Sequence, residues 1–249
     1  MTGGMTVRLK RLWLLLMASA ALFAIWSLVG VLADLAAFRG RVWVETWSHQ
    51  ATVAQSEGQT FSPRQHDWDE ARRYAEWSVR LAPLNADYLE GLARIHEARH
   101  IMAGLGATEA RADREKAAML YRHSIALRPT WPYAHAALAY TLLRLGDKDQ
   151  EMEQALSDAA RLGPWEPAVM EAVIDIGLDA WFRISPSARQ VVSDTLLRSQ
   201  SWNAGVMGQR HADRVWARVE VHHKQALACA RLSMRDERNR ERCDPANWK

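Results

Sequence analysis

The chain has 249 residues, of which 49% are apolar and 24% charged, a balance that is typical of folded chains and excludes disorder throughout. Its 13 glycines and 8 prolines favour helices over a turn-rich all-β architecture. Its two cysteines exclude a disulfide-dense miniprotein and a zinc site of four cysteines. The net charge of +3, with both signs interspersed, gives no footprint of nucleic-acid binding.

The first predicted element is the apolar segment 12–33, because about 20 residues of helix cross the hydrocarbon core of a membrane. Arg8, Lys10 and Arg11 precede this segment, and Asp34 follows it. The charge bias predicts a cytoplasmic N-terminus, with the rest of the chain in the periplasm of a Gram-negative cell. A cleaved signal peptide is the alternative, although its apolar region is normally only about 7–15 residues long.

Three later stretches share one pattern of residues at helical spacing. Each set begins with one residue, and a packing residue follows it four positions later. A small residue comes three positions after the packing residue, and a proline comes five positions after the small residue. The three sets are Ala71, Ala75, Ser78 and Pro83; Ala117, Tyr121, Ser124 and Pro129; and Met152, Leu156, Ala159 and Pro164. Small residues let two helices approach closely, and the proline ends the second helix.

This pattern resembles the second-helix half of a tetratricopeptide (TPR) repeat, and the resemblance covers about residues 66–200. Ala75 and Met152 depart from the usual small–bulky–small order. The residues that begin at Pro83 (Pro-Leu-Asn-Ala-Asp-Tyr-Leu-Glu-Gly-Leu), with similar runs around Pro129 and Pro164, are more narrowly similar to the VpsP-like proteins. These are single-pass TPR proteins that are encoded with bacterial exopolysaccharide synthesis and export machinery.

The expected fold is therefore all-α, with one N-terminal transmembrane helix followed by a TPR-like α-solenoid of antiparallel helix pairs. Trp43 and Trp47 are expected at the membrane interface. A last helix over about 211–232 is expected to cap the solenoid. Five segments are predicted: a cytoplasmic N-terminus 1–11, the transmembrane helix 12–33, a juxtamembrane segment and linker 34–64, a helical domain 65–232 and a charged tail 233–249.

A TPR array binds peptide segments on a concave surface that consists mainly of first helices. The repeat frame places seven residues on that surface: Asp87, Glu90, Arg94, Glu97, Tyr133, Tyr140 and Arg144. Aromatic residues mixed with both charge signs favour a partner-binding groove for a protein. The alternative is a solvated face that binds nothing.

His96, Glu97 and His100 have the spacing of a helical zinc site in which the glutamate acts as general base. Arg99 opposes this interpretation, because a guanidinium beside a divalent cation repels it. The repeat frame also gives His96 a packing position between helices. We therefore predict no metal, no cofactor and no catalytic residue. The twelve tryptophans are expected to pack between helices or sit at the membrane, with a sugar-stacking platform as the alternative.

Cys229 and Cys243 both follow the apolar segment. Because extracytoplasmic compartments are oxidising, we predict a disulfide between them. Fourteen residues of straight helix would separate them by about 21 Å, so the tail must turn back along the last helix. Two free thiols, one buried and one in a frayed tail, are the alternative. The charge run of the tail itself is expected to be a solvated extension of the last helix.

Two functions remain open at this stage. The first, which the resemblance implies, is an inner-membrane-anchored TPR scaffold that binds protein partners of an exopolysaccharide synthesis and export system, with the bilayer as a second partner through residues 12–33. The second is an extracytoplasmic assembly factor of another envelope complex, of the kind used in cytochrome c biogenesis. A zinc peptidase comes third, and no nucleic-acid partner is expected.

Overall fold

The computed structural model describes residues 3–147, 149–201, 205–232 and 237–248, and these residues form helices and connections without a strand. Short 3-10 helices lie at Thr108–Ala110 and Pro245–Asn247. The α-helices of the described residues are α1 (Gly3–Ser56), α2 (Gln65–Leu81), α3 (Ala86–Arg99), α4 (Arg111–Leu127), α5 (Pro132–Leu145), α6 (Asp149–Leu162), α7 (Pro167–Asp179), α8 (Pro186–Ser201), α9 (Gly205–Val221), α10 (Gln225–Cys229) and α11 (Glu237–Arg242).

Helix α1 runs without a break through 54 residues, which at about 1.5 Å per residue makes it roughly 80 Å long. Over residues 12–32 its large apolar side chains are exposed, Trp26 by 73% and Leu32 by 47%. Its most apolar 18-residue window has a mean hydropathy of 2.3 and no buried residue. Among the described residues, α1 is thus a helix long and apolar enough to cross a membrane.

The second half of α1 differs from the predicted juxtamembrane segment and linker, because the helix continues to Ser56 and only residues 57–64 are non-helical. This half packs against α2 and α3. Its buried residues recur at helical spacing: Ala33, Ala36, Trp47, Ala51 and Ala54. Residues 34–56 are therefore the first helix of the packed domain.

The polar side chains that predicted a linker form their hydrogen bonds within α1. Thr46, Ser48 and Thr52 each donate a hydrogen bond to the carbonyl oxygen four residues earlier. Trp47 is 2% exposed in the core, so its predicted interfacial position is wrong. Trp43 is partly buried and stacks on it with ring centroids 5.4 Å apart. Tertiary packing has overridden the low helix propensity of Ser and Thr.

Consecutive helices pack in antiparallel pairs, α1 with α2, α3 with α4, α5 with α6 and α7 with α8. In the second pair, Arg128 near the end of α4 binds Asp87 at the start of α3, at 2.7 Å. At the other end of the same pair, Asp113 in the first turn of α4 meets His96 near the end of α3. The pairs lie side by side, with contacts of α3 to α2 and of α5 to α4.

The first helices of the pairs run in the same direction. Between α3 and α5, Thr141 binds Glu97 and Arg144 binds the carbonyl oxygen of His100 one turn further on. Between α7 and α9, Glu171 and Asp175 bind Arg214 and Arg218 in the same order. The carboxyl ends of α2, α4, α6 and α8 and the beginnings of the helices that follow them therefore all lie at one end of the domain.

The repeated pattern occupies the buried faces of α2, α4 and α6. All nine of its helical residues are at most 3% exposed: Ala71, Ala75, Ser78, Ala117, Tyr121, Ser124, Met152, Leu156 and Ala159. Each of these helices ends two residues before its proline, and α5 and α7 begin at a second proline, where the missing N–H costs nothing.

The last helical segment differs from the single capping helix expected over 211–232. Helix α9 ends at Val221, where His223 takes φ 52° and Lys224 donates its N–H to the carbonyl oxygen of Val219. The short α10 then carries Cys229, whose sulfur lies 1.99 Å from that of Cys243, with their Cα atoms 5.5 Å apart. The predicted cysteine pair is therefore at disulfide distance.

The charged tail is not the solvated extension of the last helix that its charge run predicted. Arg242 of α11 donates a hydrogen bond to Gln200 at 2.5 Å, binds Asp213 and lies over the ring of Trp216. Trp248 donates its indole N–H to the carbonyl oxygen of Arg242. The tail is thus folded back onto α8 and α9.

Candidate functional site

A groove runs between the second half of α1, α3 and α5. It consists of two cavities, of about 400 Å³ and 290 Å³, that share Val44 and Arg94 as lining residues. From Asp34 to Ser48, the groove follows four turns of α1, or about 21 Å. We call this feature the α1–α3–α5 groove.

The first cavity lies between α1 and the beginning of α3. Its α1 wall carries Asp34, Arg41 and Glu45, and its opposite wall carries Asp87 and other α3 residues. Tyr88 closes the cavity at one end by donating a hydrogen bond to Asp34 at 2.6 Å, and burial together with Asp34 raises the pKa of Tyr88 to about 12. The tyrosine is therefore a permanent hydrogen-bond donor here.

Gly91 leaves the middle of this cavity open. Gly91 lies within α3 and is exposed, and a Cβ atom built on it would meet nothing within 4 Å. Glycine inside a helix costs about 0.5–1 kcal/mol relative to alanine. The chain therefore carries a helix-weakening residue at the point where a side chain would occupy the groove.

Glu90 faces inward from the groove wall. It is 5% exposed and accepts hydrogen bonds from Ser124 at 2.7 Å and Arg128 at 2.9 Å, while Arg94 lies 4.0 Å away. A buried carboxylate needs such partners to offset its desolvation. Glu90 therefore fixes α4 against α3, and the exposed Arg94 is the group it leaves available to a ligand.

Glu97 has a similar position in the second cavity. It accepts hydrogen bonds from Thr141 at 2.5 Å and from Tyr121 at 2.8 Å, which joins α3 to α5 and α4. Burial raises the pKa of the Glu97 carboxyl, and these two hydrogen bonds oppose the rise. The charge is thus held at the base of the groove by a hydroxyl from each neighbouring helix.

Two arginines form the far wall of the groove. Arg144 donates to the carbonyl oxygens of Ile101 and Ala103, to the hydroxyl of Tyr140, and lies over the Tyr140 ring. Arg114 donates to the carbonyl oxygens of Ala103, Gly104 and Arg144. Cations are favourable at the carboxyl end of a helix, where carbonyl groups lack partners. Arg144 therefore holds the end of α3 and the loop that follows it.

Six of the seven predicted residues line the groove, and the seventh lies elsewhere. Asp87, Glu90, Arg94, Glu97, Tyr140 and Arg144 surround the two cavities. Tyr133 instead stacks against Trp131 and donates a hydrogen bond to Glu166, in the direction of α7. The repeat spacing could not distinguish Tyr133 from the other six, because it predicts the helix on which a residue lies and not the contacts of its side chain.

The sequence analysis missed the α1 wall. Asp34, Arg41 and Ser48 lie at intervals of seven residues, and Ala37 and Val44 repeat the interval. This spacing marks one face of a helix and was the available signal. The assignment of 34–64 to a linker concealed it.

The His96–Glu97–His100 motif is divided between two sites. His96 Nδ1 lies 2.8 Å from Asp113, and His100 Nε2 lies 3.5 Å from the same carboxylate, while Glu97 faces the groove. Burial lowers the pKa of His96, although the hydrogen bond to Asp113 opposes this. Within the described ranges, no group of three or more His, Cys, Asp or Glu side chains has the geometry to hold a metal ion.

The groove presents acidic and basic side chains, two aromatic rings and an open helix face, with its buried charges already paired. No family model matches the chain, and no curated protein matches its sequence.

Proposed function

We propose that the chain is a membrane-anchored, TPR-like scaffold that binds an extended segment of a protein partner in the α1–α3–α5 groove. The single observation that carries this proposal is the pair of adjoining cavities that together extend about 21 Å along the first helices, with Gly91 open in the first of them. At about 3.3 Å per residue, a segment of roughly six extended residues fills that length.

The polar lining supports a peptide over an apolar ligand. The first cavity exposes charged groups of both signs, with Asp34, Glu45 and Asp87 against Arg41 and Arg94. Backbone amides and carbonyls of an extended peptide need such donors and acceptors, because a peptide that is buried without partners pays for desolvation.

Anchoring follows from α1 in this proposal. Residues 12–33 cross the inner membrane, with residues 1–11 in the cytoplasm and the helical domain in the periplasm. The cysteine pair at disulfide distance supports an oxidising compartment. The resemblance to the VpsP-like proteins supports an exopolysaccharide synthesis and export system as the setting in which the scaffold organises its partners.

The groove is tested by filling it. In Gly91→Gln, the Cβ of the new side chain meets nothing within 4 Å and the residue lines the first cavity, so we expect the fold to be retained and partner binding to be lost. Gly104→Gln is the matched control, because a Cβ there also meets nothing within 4 Å and the loop lies outside the groove residues.

The measurement is a cross-link from a photoreactive residue at position 48, together with exopolysaccharide secretion by a deletion strain. We expect wild type and Gly104→Gln to give one cross-linked envelope protein and to restore secretion, and Gly91→Gln to do neither. Normal cross-linking by Gly91→Gln contradicts the groove. If the wild-type chain gives the cross-link but does not restore secretion to the deletion strain, the groove stands and the exopolysaccharide assignment alone is contradicted.

Topology is tested separately. An alkaline phosphatase fused after residue 249 is active only outside the cytoplasm, and we expect activity. A second fusion carries, at the same position, a fluorescent reporter that matures only in the cytoplasm. An inactive phosphatase fusion together with a fluorescent second fusion contradicts the proposed orientation.

A further inference from the structure

At one end of the domain, three turns and the first turn of α9 each expose a large apolar side chain. The exposed fractions are 79% for Leu84, 39% for Trp131, 57% for Trp165, and 63% and 66% for Val206 and Met207. These residues lie between α2 and α3, α4 and α5, α6 and α7, and at the start of α9. We call this end of the domain the turn edge.

The turn edge lies level with the point where α1 leaves the packed domain. Ala33 is the first buried residue of α1, and Asp34 binds Tyr88 in the first turn of α3. Thr141 of α5 lies beside Glu97 of α3, so with parallel helices Trp131 lies beside the first turn of α3 as well. The edge therefore extends sideways from residues 33–34 of α1.

The exposed apolar surface of α1 also reaches this level. Most large apolar residues of α1 between 12 and 32 are exposed, Leu35 and Phe38 just beyond them are exposed too, and α1 continues through this point without a break. Transmembrane helices are tilted by only about 20° on average. A rigid helix that crosses the membrane and then forms the first helix of the domain brings the turn edge onto the membrane surface.

The turn edge carries cations beside its tryptophans. The guanidinium of Arg128 lies 5.0 Å from the ring centroid of Trp131, and that of Arg198 lies 5.7 Å from Trp165. Arg161 at the end of α6 is 68% exposed. Tryptophan favours the headgroup layer of a bilayer, and arginine favours its phosphates.

The acidic groups of the edge are already paired. Asp87 binds Arg128, Glu166 accepts a hydrogen bond from Tyr133, and Asp158 binds Arg161. The opposite end differs in its tryptophans: Trp68 is 5% exposed and Trp181 packs against the core. Leu105 and Phe182 are exposed at that opposite end. They lie one helix length, about 20 Å, further from the apolar segment of α1 than the turn edge does.

We infer that the turn edge is a second membrane contact, in which its exposed tryptophans and arginines enter the headgroup layer of an anionic bilayer. The inference rests on the membrane anchoring in the proposed function and goes beyond it, since α1 brings the edge to the surface but does not by itself insert the side chains of the edge among the headgroups. The groove, whose first cavity begins at Asp34, then opens within the first turns above the headgroups.

The test places one fluorescent probe at either end of the domain in the full-length chain. Thr130→Cys lies beside Trp131 on the turn edge, and Thr108→Cys is the matched control at the opposite end; both threonines are exposed. The proteins are labelled without reductant, which leaves Cys229 and Cys243 joined, and are reconstituted into phosphatidylcholine–phosphatidylglycerol vesicles. Quenching by a lipid with a nitroxide in its headgroup reports the distance to the surface.

We expect the probe at position 130 to be quenched several-fold more strongly than the probe at 108. Replacing Trp131 and Trp165 by serine in the Thr130→Cys chain should reduce that quenching, whereas Leu105→Ser should leave it unchanged. Equal, weak quenching of both probes in a chain that floats with the vesicles overturns the inference and leaves the anchor intact. A chain that does not float with the vesicles overturns the anchor, and the inference with it.

Discussion

The groove-bearing part of the domain, from the second half of α1 to α6, is stabilised differently from the carboxyl-terminal part, α7–α11. One hydrophobic core extends from Trp47 of α1 as far as Val192 of α8. Within it lie buried polar side chains such as Glu90 and Arg114, each bound to a neighbouring helix or loop. A second, smaller core around Val215 joins α7, α8, α9 and α10.

The carboxyl-terminal part joins α7 to α9 by ion pairs and adds a covalent link. Glu171 and Asp175 of α7 bind Arg214 and Arg218 of α9, and the cysteine pair joins α10 to the tail. Both parts contain buried polar side chains, Ser199 and His211 among them in the carboxyl-terminal part, so the difference lies in the closure: noncovalent contacts between helices hold the groove-bearing part, and a covalent bond closes the end of the array. Each prediction below changes one side of this comparison.

The largest effect is expected at Trp47. Trp47→Ala removes a side chain that is 2% exposed at one end of the main core, so the free energy of unfolding should fall by about 3–5 kcal/mol. Denaturant titration of the full-length chain in detergent measures the loss. Trp26→Ala, at a tryptophan that is 73% exposed, should leave the titration unchanged. Equal losses in the two variants would show that α1 does not join the domain as described.

The next effect is confined to the carboxyl-terminal part. Replacing Cys229 and Cys243 by serine opens a loop of about 15 residues, worth roughly 3 kcal/mol in the chain-entropy model. Hydrogen exchange should accelerate in α9 and α11 and stay unchanged in α3 and α5, because the main core does not include the cysteines. Faster exchange throughout the domain would contradict the separation into two parts.

A smaller effect separates two arginines of the groove. Arg144→Met removes charged hydrogen bonds to partly buried carbonyl oxygens of Ile101 and Ala103, so it should cost about 1.5–3 kcal/mol of stability. Arg94→Met, at a side chain that is 54% exposed, should cost about 0.5 kcal/mol or less. Both variants should weaken partner binding. If Arg144→Met loses partner binding without losing stability, Arg144 contributes to partner binding alone, as the sequence predicted, and does not hold the end of α3.

The helical fold could be predicted because its signals are local. The apolar segment, the prolines and the small residues such as Ala117 and Ser124 each act through neighbours in the chain. Their buried positions in α2, α4 and α6 agree with the predicted pattern. The cysteine pair was also predictable, since two cysteines allow only one intramolecular pairing.

The groove could be predicted only in part, because side-chain direction depends on distant residues. Glu97 was placed on the correct helix, but its engagement by Tyr121 and Thr141 comes from residues 24 and 44 positions away. The α1 wall was missed because Trp47 is a core residue only when α2 packs on it. Composition favoured a linker there, and tertiary contacts decided otherwise.

The smallest effect tests the buried titratable groups of the groove-bearing part, where adjacent residues have opposite pH dependence. Burial lowers the pKa of His96, so the unfolded chain binds its proton more readily, and stability falls as the pH decreases through about 6.5. Burial raises the pKa of Glu97, so the folded chain binds that proton more readily, and stability rises as the pH decreases toward about 4.5. His96→Gln should therefore make the change in melting temperature between pH 7.5 and pH 5.5 smaller, whereas Glu97→Gln should remove a gain in stability that develops as the pH approaches about 4.5. Thermal unfolding followed by circular dichroism measures both slopes. Parallel slopes in the two variants would mean that these side chains are hydrated, and that the groove base is open to water rather than locked.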